Sequence, residues 1–419
     1  MVFHAEKMAY PLFSLKPRRK NNFRCLDKMQ SLENPRLTPS TCSKTKRVVP
    51  RILFLERQPC IRALKYAIAL RHYLGNNVSL CFGHFRYSLG KLYGFGEEYF
   101  DQIIRLDPGK ISDDARRIIN KYKPHIIHSH NAPDVLTLAA VDVAEEIPVI
   151  HDVHEVLSVH NSGFFMGDDE VKLARYREEE RRACEESDGR IYATDGIKGY
   201  VQQQYNVDAQ NDIVFYNYAL KSLMPQHFKK KLSNKDKEIH IVYIGCVTSV
   251  VRESHYDLRE IFRSIADHKI HIHIYPTSND ITNSNETYRK LAECNRCIHC
   301  HDTLDYKNLL YEITQYDFGW AGFNGAKNGK HLGIALPNKV LEYVGSGLPV
   351  IAFPYKTIQH FIEKYGTGLI IKNVDELPET LRNVNFSKLE GHVMRSRHNF
   401  TVESKISKLV DFYNKIMEN

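Results

Sequence analysis

Residues 337–353 read PNKVLEYVGSGLPVIAF, and the reading of this stretch decides the fold. Pro337 suits the first turn of a helix, where its missing N–H costs nothing. Val340, Leu341 and Val344 form an apolar face, and Glu342 lies off it. Gly345 or Gly347 can take the left-handed conformation that ends a helix. Leu348-Pro349 then leads into an apolar run at 349–353 that reads as a buried strand. A helix passing through a glycine turn into a buried strand is one half of a βαβ unit, the building block of an open parallel sheet.

The same alternation continues outward. Towards the N-terminus, strands are expected at 238–244, 270–275, 297–301 and 318–321, with helices at 258–267, 287–294 and 306–315. Before these, 225–236 (PQHFKKKLSNKD) is polar, basic and poor in apolar residues, as a linker is. A second series precedes it. Strands are expected at 51–56, 78–82, 124–130, 148–150, 190–193 and 213–216, and helices at 61–73 and 114–123. A further helix at 131–146 takes Asn131 as its cap, and a charged, solvated one covers 172–186. The predicted fold is α/β, two Rossmann-like doubly wound domains facing across a cleft. The boundaries are a disordered basic leader at 1–48, an N-terminal domain at 49–224, a linker at 225–237, a C-terminal domain at 238–400 and a closing helix at 401–419. Open α/β sheets bind ligands at the carboxyl ends of their strands.

The 419 residues carry a net charge of +8. Residues 1–50 hold 11 basic and 3 acidic side chains, which is the whole excess. The remaining body is neutral, which argues against a nucleic-acid binder. The leader's Pro, Ser, Asn and Lys content predicts a solvated tail, and its charge permits peripheral contact with an anionic membrane. No apolar run has the length of a membrane span, and no secretory signal is legible. Nine cysteines without a framework spacing point to the cytoplasm.

Chemistry concentrates at three places. The start of the helix at 337 offers free N–H groups and a positive dipole end to a diphosphate, and a carboxylate one turn in suits a ribose diol. The same spacing also fits a Lys339–Glu342 surface pair. In HIIHSHN, Ile126, His128 and His130 share one strand face. PVIHDVHEV adds His151, Asp152, His154 and Glu155. These histidines come from adjacent strand ends, so a zinc site is geometrically open, but they lack a helical zinc motif, and no metal is expected. Cys294-x-x-Cys297-x-His299-Cys300-His301 has the residue types of a zinc or iron–sulfur knuckle, but Cys297–His301 falls where a strand is needed, and the segment is read as core.

PNKVLEYVGSGLPVI resembles the donor-site helix of GT-B glycosyltransferases of the group 1 (family 4) type, in which P-x-K-x-x-E-Y-x-x-x-G-x-P-V-I recurs. The resemblance spans residues 50–400 and is specific near 340. It implies that Glu342 binds the ribose of a nucleotide and that Pro337, Asn338 and Lys339 belong to the donor site. It places Gly245 and Arg252 of VYIGCVTSVVR on the diphosphate, with Cys246 where an arginine is usual. It puts His154, with His151 as competitor, near the reacting carbon of the donor sugar. His130, Asn131, Asn217 and Lys330 are expected to line the cleft, and Asp317 to be structural. The family often has a second glutamate eight positions before Glu342. Here that position is Ile334, in a glycine-rich loop (322–336) with Lys327, Lys330 and His331.

The implied reaction is transfer of a sugar from a nucleotide diphosphate sugar to an acceptor hydroxyl, with retention, in glycan or glycolipid synthesis. It requires neither cofactor nor metal, and the acceptor would be a glycan or lipid-linked. Two other readings stay open: a UDP-sugar 2-epimerase of the same architecture, and a non-catalytic member that binds a nucleotide sugar or a partner.

Overall fold

The computed structural model describes residues 49–418, apart from 86, 132, 161–169, 250–253, 278–283 and 327. The expected leader, Arg252 and Lys327 lie outside the described residues. Seven strands form the first sheet: β1 (Arg51–Glu56), β2 (Ser79–His84), β3 (Gln102–Arg105), β4 (Ile126–His130), β5 (Val149–Val153), β6 (Gly189–Tyr192) and β7 (Asp212–Val214). Six form the second: β8 (His240–Gly245), β9 (His271–Pro276), β10 (Ile298–Cys300), β11 (Phe318–Trp320), β12 (Val350–Ala352) and β13 (Gly368–Ile370). All pairings in both sheets are parallel. The orders are β3-β2-β1-β4-β5-β6-β7 and β10-β9-β8-β11-β12-β13. Strand order therefore reverses between β1 and β4 and again between β8 and β11, and those two crevices are where a ligand is expected.

Strands buried on both faces read as continuous apolar runs, and β1 (RILFLE) fits that rule, whereas β4 (IIHSH) and β5 (VIHDV) are equally buried but turn polar towards their carboxyl ends. The helix Ile61–Leu74 is buried at nine consecutive positions, because it is covered on two sides. The sheet lies beneath it, and the last helix, Ile406–Glu418, packs against it. The chain thus returns from the second sheet to the first. It crosses at Ala219, whose N–H donates to Phe400 O at 3.1 Å while its carbonyl accepts from Val402 N at 2.9 Å. The Tyr413 hydroxyl of the last helix then hydrogen-bonds with His128 Nδ1 of β4 at 2.6 Å.

Some local expectations changed on packing. The helix expected to start at Asn131 starts at Val135, with Asp134 in the cap position. The charged helix Glu170–Glu186 is not wholly solvated, since Glu180, Ala183 and Cys184 are buried. The Glu180 carboxylate accepts from Ser158 N at 2.7 Å and Ser158 Oγ at 2.6 Å. The polar segment at 225–236 is strapped to the second half. Lys231 Nζ donates to Tyr316 O at 2.6 Å and pairs with Glu390 at 3.0 Å. Part of the glycine-rich loop is helical, at Gly329–Ile334. No described helix is long and apolar enough to cross a membrane.

Candidate active site

A cavity of about 940 Å³ opens between the carboxyl ends of the two sheets. The second half presents the helix Asn338–Gly345, with Pro337 extended in the cap position (φ −61°, ψ 141°). Tyr343 seats this helix. Its hydroxyl accepts from Ile244 N at 2.9 Å and donates to Trp320 O at 3.2 Å. Ladder pairing between β8 and β11 ends at Gly319–Val242, so the phenol satisfies two backbone groups that the diverging strands leave open. The helix start thereby faces the cavity, with Pro337, Asn338, Lys339 and Glu342 in its lining. Glu342 is half-buried and accepts from the Tyr306 hydroxyl at 3.0 Å.

Gly245 ends β8 at φ +128°, a conformation that favours glycine. A Cβ there would stand 3.2 Å from Lys339 Nζ. Lys339 is no surface residue. Its ammonium lies 3.7 Å from the Tyr243 ring centroid and 4.7 Å from that of Phe323. Burial pushes its pKa down to about 7, although Cys246 and Glu342 pull the other way.

The first half contributes His154 and Glu155 at the cavity wall. Asn131 holds their loop: its Oδ1 accepts from His154 N at 3.1 Å and Glu155 N at 3.3 Å, and its Nδ2 donates to Glu155 O. Asn131 is therefore spent on positioning and does not itself line the cavity. Burial lowers the His154 pKa below the usual histidine value. Behind this lip, Asp152 accepts from Arg62 Nε at 2.9 Å, Tyr66 Oη at 3.0 Å and His128 Nε2 at 3.1 Å. Burial alone would raise its pKa, but the Arg62 guanidinium and the His128 hydrogen bond hold it well below the carboxylate range. His130 stacks on His128 at 4.6 Å and is kept neutral by burial and that neighbour. His151 is buried, 2.8 Å from Thr137 Oγ1 and 3.1 Å from Asp134 Oδ1.

Among the described residues, two groups of side chains stand close enough to share an ion: His128, His130 and Asp152, and Glu56, Cys60 and His130. In the first, Asp152 is already committed to Arg62, so an ion would have to displace a buried guanidinium. In the second, burial pushes Glu56 up to about 8, which leaves it a protonated and weak ligand near neutral pH.

The structure thus brings Glu342, Pro337, Asn338, Lys339, Gly245, His154 and Asn217 to one cavity. Asn217 Nδ2 donates to Asn338 Oδ1 at 2.7 Å, and its Oδ1 accepts from Lys65 Nζ at 3.1 Å, a link across the cleft. His130 and His151 sit beneath the lip, and Lys330 is exposed and outside the lining. The lining also includes residues that the sequence reading did not select: Tyr306, Asp305, His255, Tyr256 and Thr194. Their only signal was position, each following the carboxyl end of a strand.

Two doubly wound sheets facing across a ligand-sized cleft define the GT-B class. A family model for Glycosyltransferase Family 4 matches residues 100–218, and one for the Glucosyltransferase 3-like C-terminal domain matches residues 262–401. The chain is a GT-B glycosyltransferase of the group 1-like type. It is similar in structure to a glycosyltransferase from Rickettsia africae (13% identity, 88% of this chain and 99% of that one, TM-score 0.63). It is also similar to sucrose-phosphate synthase from Thermosynechococcus elongatus (12%, 88% and 99%, 0.65). A third similar structure is Anabaena HepE in complex with UDP (11%, 86% and 99%, 0.61). No curated protein matches the sequence.

Proposed function

We propose that this chain transfers a hexosyl group from a nucleoside diphosphate sugar, with UDP as carrier, to an acceptor hydroxyl with retention at the anomeric carbon. The observation that carries this reading is the convergence of Glu342, the start of helix Asn338–Gly345, Gly245 and Lys339 on the same cavity as His154. Glu342 takes the ribose diol, as in the family whose motif it shares. The free helix N–H groups, the bare backbone at Gly245 and Lys339 take the diphosphate. His154 stands across the cleft, where the sugar follows. The likeness to HepE, solved with UDP, supports the uridine carrier.

In the reaction the bond from the anomeric carbon to the diphosphate oxygen breaks, and its electron pair stays on that oxygen. The acceptor oxygen bonds to the carbon and releases its proton to the medium. The fixed donors around the leaving diphosphate stabilise that charge without a divalent ion. Closure of the cleft keeps out water, the competing acceptor. The reading assigns acceptor binding to residues 49–224 and donor binding to 238–400. It assigns the product to glycan or glycolipid synthesis in the cytoplasm.

The test is a panel of UDP-, GDP- and ADP-sugars incubated with the protein and chelator, with nucleoside diphosphate release and sugar epimers both followed. Release of UDP from a UDP-sugar, stimulated by an acceptor, is expected. Epimerised UDP-sugar without release would replace transfer with epimerisation. Binding of a nucleotide sugar with neither outcome would point to a non-catalytic role.

A further inference from the structure

Lys339 is 7% exposed, and among the described residues its ammonium has no hydrogen-bond partner. The groups facing it are the Tyr243 ring and phenol from β8, the Cys246 thiol after that strand, the Phe323 ring, and Glu342 one turn along its own helix. Glu342 is itself engaged by Tyr306. Cation–π contacts with the two rings offset only part of the cost of an unpaired buried charge. In the empty cavity the balance therefore favours the uncharged amine, which agrees with a pKa lowered by burial. Yet the side chain is aimed at the bare backbone of Gly245 and lines the cavity. A diphosphate there would supply the anion that Lys339 lacks.

We propose that the arriving donor charges Lys339: the empty site holds mainly the amine, and a bound diphosphate converts it to an ammonium bonded to phosphate oxygen. The proton comes from solvent and no bond of the donor breaks in this step. The ammonium then remains beside the leaving diphosphate during transfer, and the proton returns to solvent when the diphosphate departs. The inference rests on the donor-site reading above and adds to it a proton count. Lys339 would act as a charge-matching residue selective for diphosphate over the unphosphorylated nucleoside.

Linkage makes the idea measurable. Above neutral pH each diphosphate bound takes up one proton, so affinity falls about tenfold per pH unit. The test is calorimetric titration of the full chain with UDP, GDP and ADP at about pH 8, where a terminal phosphate with a second pKa near 6 is already ionised. Buffers of high and low ionisation enthalpy give the proton count. Uptake of close to one proton is expected for the wild type, with none for Lys339→Arg or Lys339→Met. Affinity should be retained better in Lys339→Arg than in Lys339→Met. Diphosphate binding without proton uptake would overturn this inference and leave the donor site standing. Uptake that persists in Lys339→Met would also overturn it, by assigning the proton elsewhere. Failure of all three diphosphates to bind would overturn the donor site and this inference with it.

Discussion

The Thr194 hydroxyl donates to the Ile334 carbonyl at 2.6 Å, joining the end of β6 to helix Gly329–Ile334 of the other half. Position 334 is where the resembled family often places a second, sugar-contacting glutamate. Here its side chain packs against an apolar cluster that includes Val153, Val156 and Ile197 of the first half. The approach is close enough that a Cβ on Gly196 would stand 2.7 Å from the Ile334 Cα and carbonyl oxygen. Ile334 thus fastens the two halves while also lining the cavity.

Loosening that fastening should cost turnover more than donor binding. Thr194→Val leaves the Ile334 carbonyl and the Ile197 N–H without the hydroxyl that serves both, at about 1 kcal/mol each. Gly196→Ala forces the two helices apart, and misplacement of that kind lowers rates on the order of ten- to hundredfold. UDP affinity, which the proposed donor site assigns to the second half, should change little in either variant. Steady-state UDP release beside a UDP titration separates the two effects. Full turnover in Gly196→Ala would show that the contact is incidental.

Tyr343 closes the gap between β8 and β11 with one hydroxyl. Tyr343→Phe leaves Ile244 N–H and Trp320 C=O without that partner, at about 1–3 kcal/mol each. Denaturant unfolding should show a loss of about 2–6 kcal/mol, with a weaker donor site as the helix start drifts. A loss below 0.5 kcal/mol, on the order of an ordinary surface change, would contradict the seating role.

Breaking the buried Arg62–Asp152 pair should be severe. Arg62→Met strands a buried carboxylate, and such losses run to about 3–5 kcal/mol. Tyr413→Phe removes only the hydroxyl that reaches His128, and about 1 kcal/mol is expected. Thermal melts of both variants check the order. Equal effects would mean that Arg62 and Asp152 contribute no more than the tie from the last helix.

Acid should weaken the second half through its histidines. Asp236 accepts from His240 Nε2 at 3.0 Å, which leaves His240 Nδ1 to accept from His273 Nε2 at 2.9 Å. His273 Nδ1 in turn accepts from His301 Nε2 at 3.0 Å. A parallel row runs from Glu238 through His271 to His299, the last step 2.8 Å. Arg296 also lies near Glu238, and the Tyr316 ring covers His273. Each neutral ring spends its bare nitrogen as an acceptor except at the row ends, so an added proton breaks a bond. Burial and neighbouring rings lower the pKa of His273, and that of His299 to about 4. These folded values lie below the unfolded value of about 6.5. The contribution is therefore complete above about pH 6.5 and is lost as pH falls towards 4. Tm should drop across that window, and less in His273→Gln. An identical pH profile in the variant would remove the ladder from the account.

The two sheets were legible because parallel strands buried on both faces tend to read as apolar runs, as RILFLE of β1 and IVYI of β8 do, while β4 (IIHSH) and β9 (HIHIYP) interleave histidines with isoleucines. β3 was missed because it is a mostly exposed edge strand. The helix Gly329–Ile334 was hidden by glycines that propensity assigns to a loop. Glu342 and Lys339 came from one local motif, but the burial of Lys339 did not, since it depends on Tyr243 and Phe323, remote in sequence. The same holds for Asn131, whose capping signature was overridden by the loop at 154–155. Five histidines looked like scattered residues or ligands until β8, β9 and β10 placed them side by side.

Glu342 is expected to hold the ribose of a nucleotide. Calorimetric titration of UDP into wild type, Glu342→Gln and Glu342→Ala tests it most directly, with unfolding curves alongside. Glu342→Ala removes two charge-assisted hydrogen bonds to a diol, so affinity should fall about a hundredfold. Stability should fall by only about 1 kcal/mol, from the stranded Tyr306 hydroxyl. Glu342→Gln should fall between the two. Unchanged UDP affinity in a folded Glu342→Ala protein would contradict the account.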